Sequence, residues 1–309
     1  MTRPKISVCV ITLNEERNLG ACLESVRWAD EIIVVDSFST DRTVEIAWKH
    51  TDKVQQRRWS GINEQRNFAL SLATGDWVLS IDADERVSPE LRAEIEKTLS
   101  SPPPGVCGFY VPRLARYLGR WIRHGGWYPD WKLRLFRREC ARYAGKDPHD
   151  VVKLACAYGS VSGSAGTGGG TQVPHPNPLP KGEGESGCAG IPPAGETAAS
   201  ASTSHGATRR LHGDLLHYTY RSFSDQLQQI NTFSSVGAAE LFEAGRRFRL
   251  AAMILHPIGK FFGTYFLRLG FLDGLPGLIV SVASAFYVFA RHVKLWEAGV
   301  PPRVGANEP

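Results

Sequence analysis

The first hundred residues alternate short β-branched runs with stretches of helical period, and this rhythm restricts the chain to one class of architecture. Residues 6–13 (ISVCVITL) and Glu31–Asp36 (EIIVVD) read as strands on either side of a helix-like stretch at 19–26. Ser39-Thr40-Asp41 offers an N-cap for a helix through Trp48, residues 53–57 read as a strand, and 61–72 have helical period. Residues 77–81 (WVLSI) then read as a buried strand. Ser88-Pro89-Glu90 opens a further helix, with proline where its missing N–H costs nothing, and this helix ends near Leu99 ahead of three prolines. Such alternation implies an α/β fold, a mostly parallel sheet with helices on its faces. In open sheets of this kind the loops at the carboxyl ends of the strands form the ligand crevice. Thr12–Glu15, Asp36–Asp41 and Asp82–Asp84 are therefore expected to converge.

A chain of 309 residues, 42% apolar and 22% charged, can bury one large core or two modest ones, which excludes global disorder. The net charge of +5 is unevenly spread: residues 1–104 carry 13 basic and 17 acidic side chains, whereas 105–150 carry 10 basic and 4 acidic. The electropositive middle suits phosphates or anionic lipid. Nucleic acid is not expected as a partner, because no basic run is interleaved with a recognisable nucleic-acid motif. Cys9, Cys22, Cys107, Cys140, Cys156 and Cys188 are widely spaced with no C-x-x-C pair, and they read as reduced thiols of a cytosolic protein. A strand beginning at Ile6 leaves no room for a secretory leader.

Residues 159–206 change character abruptly, with 12 Gly, 6 Pro, no aromatic residue and four Val, Leu or Ile. A segment of that composition cannot offset chain entropy by burial and is expected to be disordered. Its centre, 174–185, resembles the translation of a dispersed bacterial DNA repeat, so the segment reads as an insertion. Residues 222–243 are polar and helix-like. Beyond Arg246, Arg247 and Arg249 come apolar and aromatic blocks whose longest uncharged run, 275–290, has 16 residues, short of the roughly 20 that span a bilayer. In-plane or re-entrant helices on a membrane surface are expected, the alternative being a helical subdomain packed on the core. Four regions follow: 1–158, the region of alternating strands and helices; 159–206, the insertion; 207–245, where regular patterns resume; and 246–309, a membrane-associating helical region.

Asp82-Ala83-Asp84 places two carboxylates at the carboxyl end of a buried strand, a hard-oxygen site suited to a divalent cation that also touches a diphosphate. Alone, such a motif is weak, because Asp-x-Asp in a surface turn is usually just a solvated turn. Together, VITLNE (10–15), VVDSFSTDRT (34–43) and IDAD (81–84) resemble an inverting family-2 glycosyltransferase of the GT-A (Rossmann-like) fold. The resemblance narrows to lipopolysaccharide core glucosyltransferases through WKLRLFR (131–137), Pro148-His149-Asp150, LLHYTY (215–220) and GFLDGLPG (270–277).

That resemblance implies a nucleotide pocket lined by Thr12, Asn14 and Glu15, with Asp36 accepting the imide N–H of uracil, a donor that cytosine lacks at that edge. Arg66 would contact base or phosphate, unless it is simply an exposed helical arginine. Asp82 would hold the ribose or a metal-bound water, and Asp84 would ligate Mg²⁺ or Mn²⁺ at the diphosphate. Arg134 and Arg137 would add phosphate contacts. Inverting transfer needs one general base; Asp150 is the candidate, with His149 to orient it or bind diphosphate, and with Asp147 and Asp130 as runners-up. The function expected is transfer of a hexose, glucose above others, from a UDP-sugar to the lipid-anchored lipopolysaccharide inner core. It would take place at the cytoplasmic face of the inner membrane, to which the protein would be peripherally attached. The alternatives are a polyprenyl-phosphate glycosyltransferase and a membrane-bound remnant disabled by the insertion.

Overall fold

Residues 3–144, 151–154, 207–220 and 222–300 are described by a computed structural model. From the amino end, β1 (Ile6–Thr12), α1 (Leu19–Ser25), β2 (Glu31–Asp36), α2 (Thr43–Trp48), β3 (Val54–Gln56), α3 (Ile62–Leu72) and β4 (Trp77–Asp82) follow the alternation read from the sequence. β1 lies between β2 and β4, parallel to both, and β3 extends the β2 side. Helices cover both faces of these strands. Val8, Val10, Ile33, Val34, Val35, Val78 and Leu79 are accordingly all wholly buried, which explains near-continuous apolar runs in place of strict alternation. The expected strand at 53–57 shortens to Val54–Gln56. α2 starts only after Arg42, with no side-chain cap, because Ser39 and Asp41 are engaged within the preceding loop.

β5 (Glu85–Val87) and α4 (Pro89–Ser100) come next, and Ser88 Oγ accepts the Leu91 N–H at 3.1 Å as the N-cap. The second half of the sheet is built from β6 (Val106–Tyr117), β7 (Arg120–Trp121) and β8 (Asp130–Arg137), while β9 (Ala141–Ala144) and β10 (Val151–Leu154) form a separate antiparallel pair. β11 (Ala207–Arg210) and β12 (Leu215–His217) return to the main sheet, each parallel to β6. β8 runs antiparallel between β4 and β6, and β12 runs antiparallel to β5. The strand order is therefore β3-β2-β1-β4-β8-β6-β12-β5, with β11 and β7 also on β6. Gly213, just before β12, packs so tightly on α4 that a Cβ there would lie 2.3 Å from the Leu91 Cα.

The cysteines depart from expectation. Cys9 and Cys22 are free and buried, and burial pushes both thiols well above their ordinary range. Cys107 and Cys140 instead pack together, where β6 meets the turn after β8, and are disulfide-bonded. Strand pairing brings them together, and sequence spacing cannot show that. Cysteine usage therefore no longer argues for a reducing compartment. Cys156, Cys188 and the whole of 159–206 lie outside the described residues.

α5 (Phe223–Glu243) opens with a capping box between Ser222 and Asp225. α6 (Leu250–Phe262) continues through a π turn at Gly263–Leu267, and after a 3-10 turn at Gly270–Asp273 the chain enters α7 (Gly274–Ala298). Two segments, Leu250–Leu267 and Gly270–Ala298, are long and apolar enough to cross a membrane by length and composition. The 16-residue run read from the sequence thus sits inside a 25-residue helix about 37 Å long. α7 packs against both α5 and α6, and Val280 joins Tyr117 and Ile122 in a shared cluster. Asp273 accepts the N–H groups of Arg123 and His124 at 3.1 and 2.8 Å, which ties the hairpin to the sheet domain. α6 buries none of its residues and leaves Leu250, Ile254, Ile258 and Phe262 exposed at a spacing of four.

Candidate active site

The sheet order reverses direction between β1 and β4, and the loops at the carboxyl ends of β1, β2 and β4 gather at that point. The first two loops interlock. Ser37 N–H donates to the Thr12 carbonyl (2.9 Å), Asn14 N–H to Ser39 Oγ (2.8 Å), Thr40 N–H to Asn14 Oδ1 (2.8 Å) and Glu15 N–H to Thr43 Oγ1 (2.8 Å). Asp36 is fully buried beneath them. Its Oδ2 accepts from Ser39 N–H (2.9 Å) and Gln56 Nε2 (3.0 Å), and its Oδ1 accepts, among the described residues, from the Ser39 hydroxyl alone. Thr12 is 5% exposed, and its buried hydroxyl has no hydrogen-bond partner among the described residues. Asn14 and Phe38 hold left-handed backbone, with φ of 52° and 64°. Asparagine tolerates that region. Phenylalanine does so at a cost of about 1–2 kcal/mol, a strain that is characteristic of ligand-binding loops.

At the end of β4 the two motif carboxylates have different surroundings. Asp82 is held by two buried guanidinium groups, Arg66 at 2.6 Å on Oδ1 and Arg134 at 2.7 Å on Oδ2. Burial alone would raise its carboxyl, but Arg134 and Arg66 hold it well below the usual carboxylate range. Arg134 also reaches Glu85 (2.7 Å), Glu85 meets Arg113 (3.4 Å), and Arg113 clasps Asp130 (2.6 Å), which Lys132 also touches at 3.1 Å. Three carboxylates thus face four cationic groups. Glu85 is fully buried and accepts the Asp82 N–H at 2.9 Å, which fixes the turn.

Asp84 stands apart from this network. Its Oδ2 lies 3.2 Å from His217 Nε2, and its carbonyl accepts the Tyr218 N–H at 2.9 Å, because β12 pairs with β5 immediately beyond the turn. The expected residues are therefore distributed as follows. Thr12, Asn14, Glu15, Asp36, Arg66, Asp82 and Asp84 belong to the crevice loops and their immediate support. Arg66 is not an exposed helical arginine but 5% exposed, facing Asp82 from α3 and lying 5.4 Å from the Tyr143 ring. Arg134 is equally buried and committed to Asp82 and Glu85, so it supports the turn and is not available for a phosphate. Arg137 is not brought to the site. β8 runs antiparallel to β4, so Arg137 pairs with Trp77 at the opposite end of that strand, about 17 Å along it from Asp82, and donates to the Val106 carbonyl at 3.1 Å. Asp147, His149 and Asp150 lie outside the described residues.

His217 and Glu85 were missed as site residues. The LLHYTY block carried the histidine, but only the pairing of β12 with β5 shows what it faces. Glu85 follows the motif directly and reads as one more acid of a polar turn until its burial is seen.

The family model for glycosyl transferase family 2 matches residues 7–158. An uncharacterized glycosyltransferase of Rickettsia conorii is 30% identical over 303 residues, covering 96% of this chain and 91% of that one. The lipopolysaccharide core biosynthesis glycosyltransferase LpsC of Rhizobium meliloti is 28% identical over 302 residues, covering 94% and 92%. Among solved structures, S. aureus TarS in complex with UDP overlaps 44% of this chain and 47% of that chain, at 22% identity and a TM-score of 0.36, so the chain spans about half of that structure's length. With the family model, the Rickettsia conorii relative and this sheet, the chain belongs to glycosyl transferase family 2, as a glycosyltransferase of GT-A-like α/β fold.

Proposed function

We propose that the protein transfers a hexose, glucose from UDP-glucose, with inversion onto the inner core of a lipid-linked lipopolysaccharide precursor at the cytoplasmic face of the inner membrane. The observation that carries this reading is the separation of roles at the β4 turn. Asp82 is neutralised by Arg66 and Arg134, whereas among the described residues the Asp84 carboxylate meets only His217. The similarity to LpsC along the whole chain favours a lipopolysaccharide core acceptor.

Asp36 keeps a lone pair on Oδ1 and would receive the imide N–H of uracil, with Thr12, Asn14 and Glu15 around the nucleotide. Asp84 would offer a carboxylate oxygen to Mn²⁺ or Mg²⁺, with His217 beside it, whereas both oxygens of Asp82 are already taken by guanidinium groups; among the described residues no cluster of three or more His, Cys, Asp or Glu is assembled to hold a metal. Held by Asp84, such a cation would supply positive charge against the leaving UDP. On the acceptor side, Asp150 is the proposed base, oriented by His149. It takes the hydroxyl proton as the acceptor oxygen attacks the anomeric carbon, and the bond to the β-phosphate breaks on the opposite face, with UDP keeping the electron pair. Asp130 suits this role poorly: burial opposes the effect, but Arg113 and Lys132 hold its carboxyl below the usual range, which weakens it as a proton acceptor.

The exposed stripe of α6, next to Arg246, Arg247 and Arg249, supports attachment to an anionic membrane surface, with the crevice held near a lipid-anchored acceptor. The test is a panel of radiolabelled nucleotide sugars against truncated core acceptors, with and without Mn²⁺. Transfer from UDP-glucose to an acid-stable core product is expected. An acid-labile sugar–phosphate–lipid as the only product, or no transfer from any UDP-sugar, would overturn the assignment.

A further inference from the structure

Beyond the Asp82–Asp84 turn, the sheet presents a second polar surface on its other face. Arg86 on β5 lies opposite Leu216 on β12, which lies opposite Leu114 on β6, and Arg116 lies opposite Trp121 on β7. Strand alternation sets these side chains on the face away from Glu85 and Arg113, so they take no part in the Asp82 network. They converge on Tyr218, whose N–H bonds Asp84. The Arg86 guanidinium is 3.7 Å from the centre of the Tyr218 ring, and that of Arg116 is 5.7 Å from it and 5.8 Å from the Trp121 ring. Trp121 meets Tyr218 edge-on at 5.5 Å.

These two arginines differ from their neighbours in one decisive way. Arg66, Arg113 and Arg134 each hold a carboxylate, but among the described residues no carboxylate pairs with Arg86 or Arg116. Their flat faces are supplied by aromatic rings and their N–H forks are left open, an arrangement that suits planar recognition of phosphate or carboxylate. Trp121, and Leu216 opposite Arg86, are shared with an adjoining cleft of about 350 Å³ that neither arginine itself lines; Leu114, Trp121 and Leu216 form its apolar lining, and Glu90, Arg123 and Asp214 are among its polar walls. That is large enough for a sugar ring and offers both an aromatic surface and hydrogen-bonding groups.

We propose that this platform is the acceptor subsite and that it selects an anionic saccharide: the sugar ring lies in the cleft, and its phosphate or carboxylate is gripped by Arg86 and Arg116. The proposal deepens the function given above and rests on it for the position of the donor at Asp84. It predicts that a neutral sugar of the same shape is a poor ligand.

The experiment measures binding of glucose 6-phosphate, glucose and inorganic phosphate to the full-length protein by titration calorimetry, with UDP and Mn²⁺ in a parallel titration. Glucose 6-phosphate is expected to bind more tightly than either glucose or phosphate. Arg86→Ala and Arg116→Ala should each weaken it about tenfold, with the Lys variants in between and UDP affinity within about twofold of the parent. Equal binding of glucose and glucose 6-phosphate, or no effect of either alanine variant, overturns the proposal. Parallel loss of UDP affinity in the variants also overturns it, by assigning both guanidinium groups to the donor diphosphate. Absence of UDP binding in the parent protein would strike the donor reading instead, and the sugar-phosphate titrations would still decide the anionic subsite.

Discussion

His217 Nε2 lies 3.2 Å from Asp84 Oδ2 across a separation of 133 residues, whereas among the described residues the carboxylate of Asp82, two positions from Asp84, faces only arginines. The two aspartates of the motif should therefore fail in different ways. Asp82→Asn leaves two buried guanidinium groups short of a counter-charge and should cost about 3 kcal/mol or more of stability. Asp84→Asn should change stability by less than about 1 kcal/mol while lowering kcat at least about 100-fold. Urea midpoints together with turnover of UDP-glucose check the pair. Comparable unfolding midpoints for the two variants would count against the division of roles.

Acid should loosen the sheet domain through Glu31. Partial burial alone would raise this carboxyl, but Lys53, the Ser7 hydroxyl, and the N–H and hydroxyl of Thr74 bring it from 4.5 down to about 2. Because the folded value lies below the unfolded one, the stabilisation is complete above pH 4.5 and is lost as pH falls from there towards 2. The contribution is on the order of 1–3 kcal/mol. Glu31→Gln should be less stable at neutral pH and show a shallower decline over that window, as read by chemical denaturation at a series of pH values.

Attachment to lipid should depend on the arginines that lead into α6. In flotation with vesicles, replacing Arg246, Arg247 and Arg249 by Glu should lower partition into anionic bilayers by roughly tenfold or more and barely affect the weak binding to neutral ones. Equal flotation of parent and variant on anionic vesicles would show that the exposed apolar stripe acts without them.

The strained loop after β2 offers a further test. Phe38→Gly relieves the left-handed backbone and should raise stability by about 1 kcal/mol. UDP affinity should fall several-fold as the half-exposed ring beside Asp36 is lost. Thermal melts and UDP titration read the two effects separately.

The parallel half of the sheet was legible because its signals are local: β-branched runs, helical period and the Ser88-Pro89 start of α4 each act within a few residues. The loops at the ends of β1, β2 and β4 followed from topology. What escaped depends on pairing between distant strands. Arg137 was assigned to the crevice because spacing along β8 shows nothing of direction, and an antiparallel strand carries each later residue further from the site. Arg66 was open to a surface reading because helical period shows which face a residue occupies, not that Asp82 and Tyr143 lie against it. Cys107 and Cys140 meet only through the packing of β6 against the turn after β8. For the C-terminal region, the count of uncharged residues understated α7, which continues through Arg291 and Lys294 because Arg291 is buried beside α5 and Lys294 bonds Asn231 and Ser235 there.

β10 ends with Leu154 packed under Gly108, and β11 begins with Ala207 opposite Val106, so the chain departs from and rejoins the sheet beside the same short piece of β6. Adjacent anchor points make the length of whatever connects them nearly immaterial to closure, since the entropy of a loop grows only with the logarithm of its size. A stretch of mobile genetic sequence could therefore land in this frame and be translated without the surrounding fold having to be rebuilt. The same address would accept an epitope tag or a fluorescent reporter.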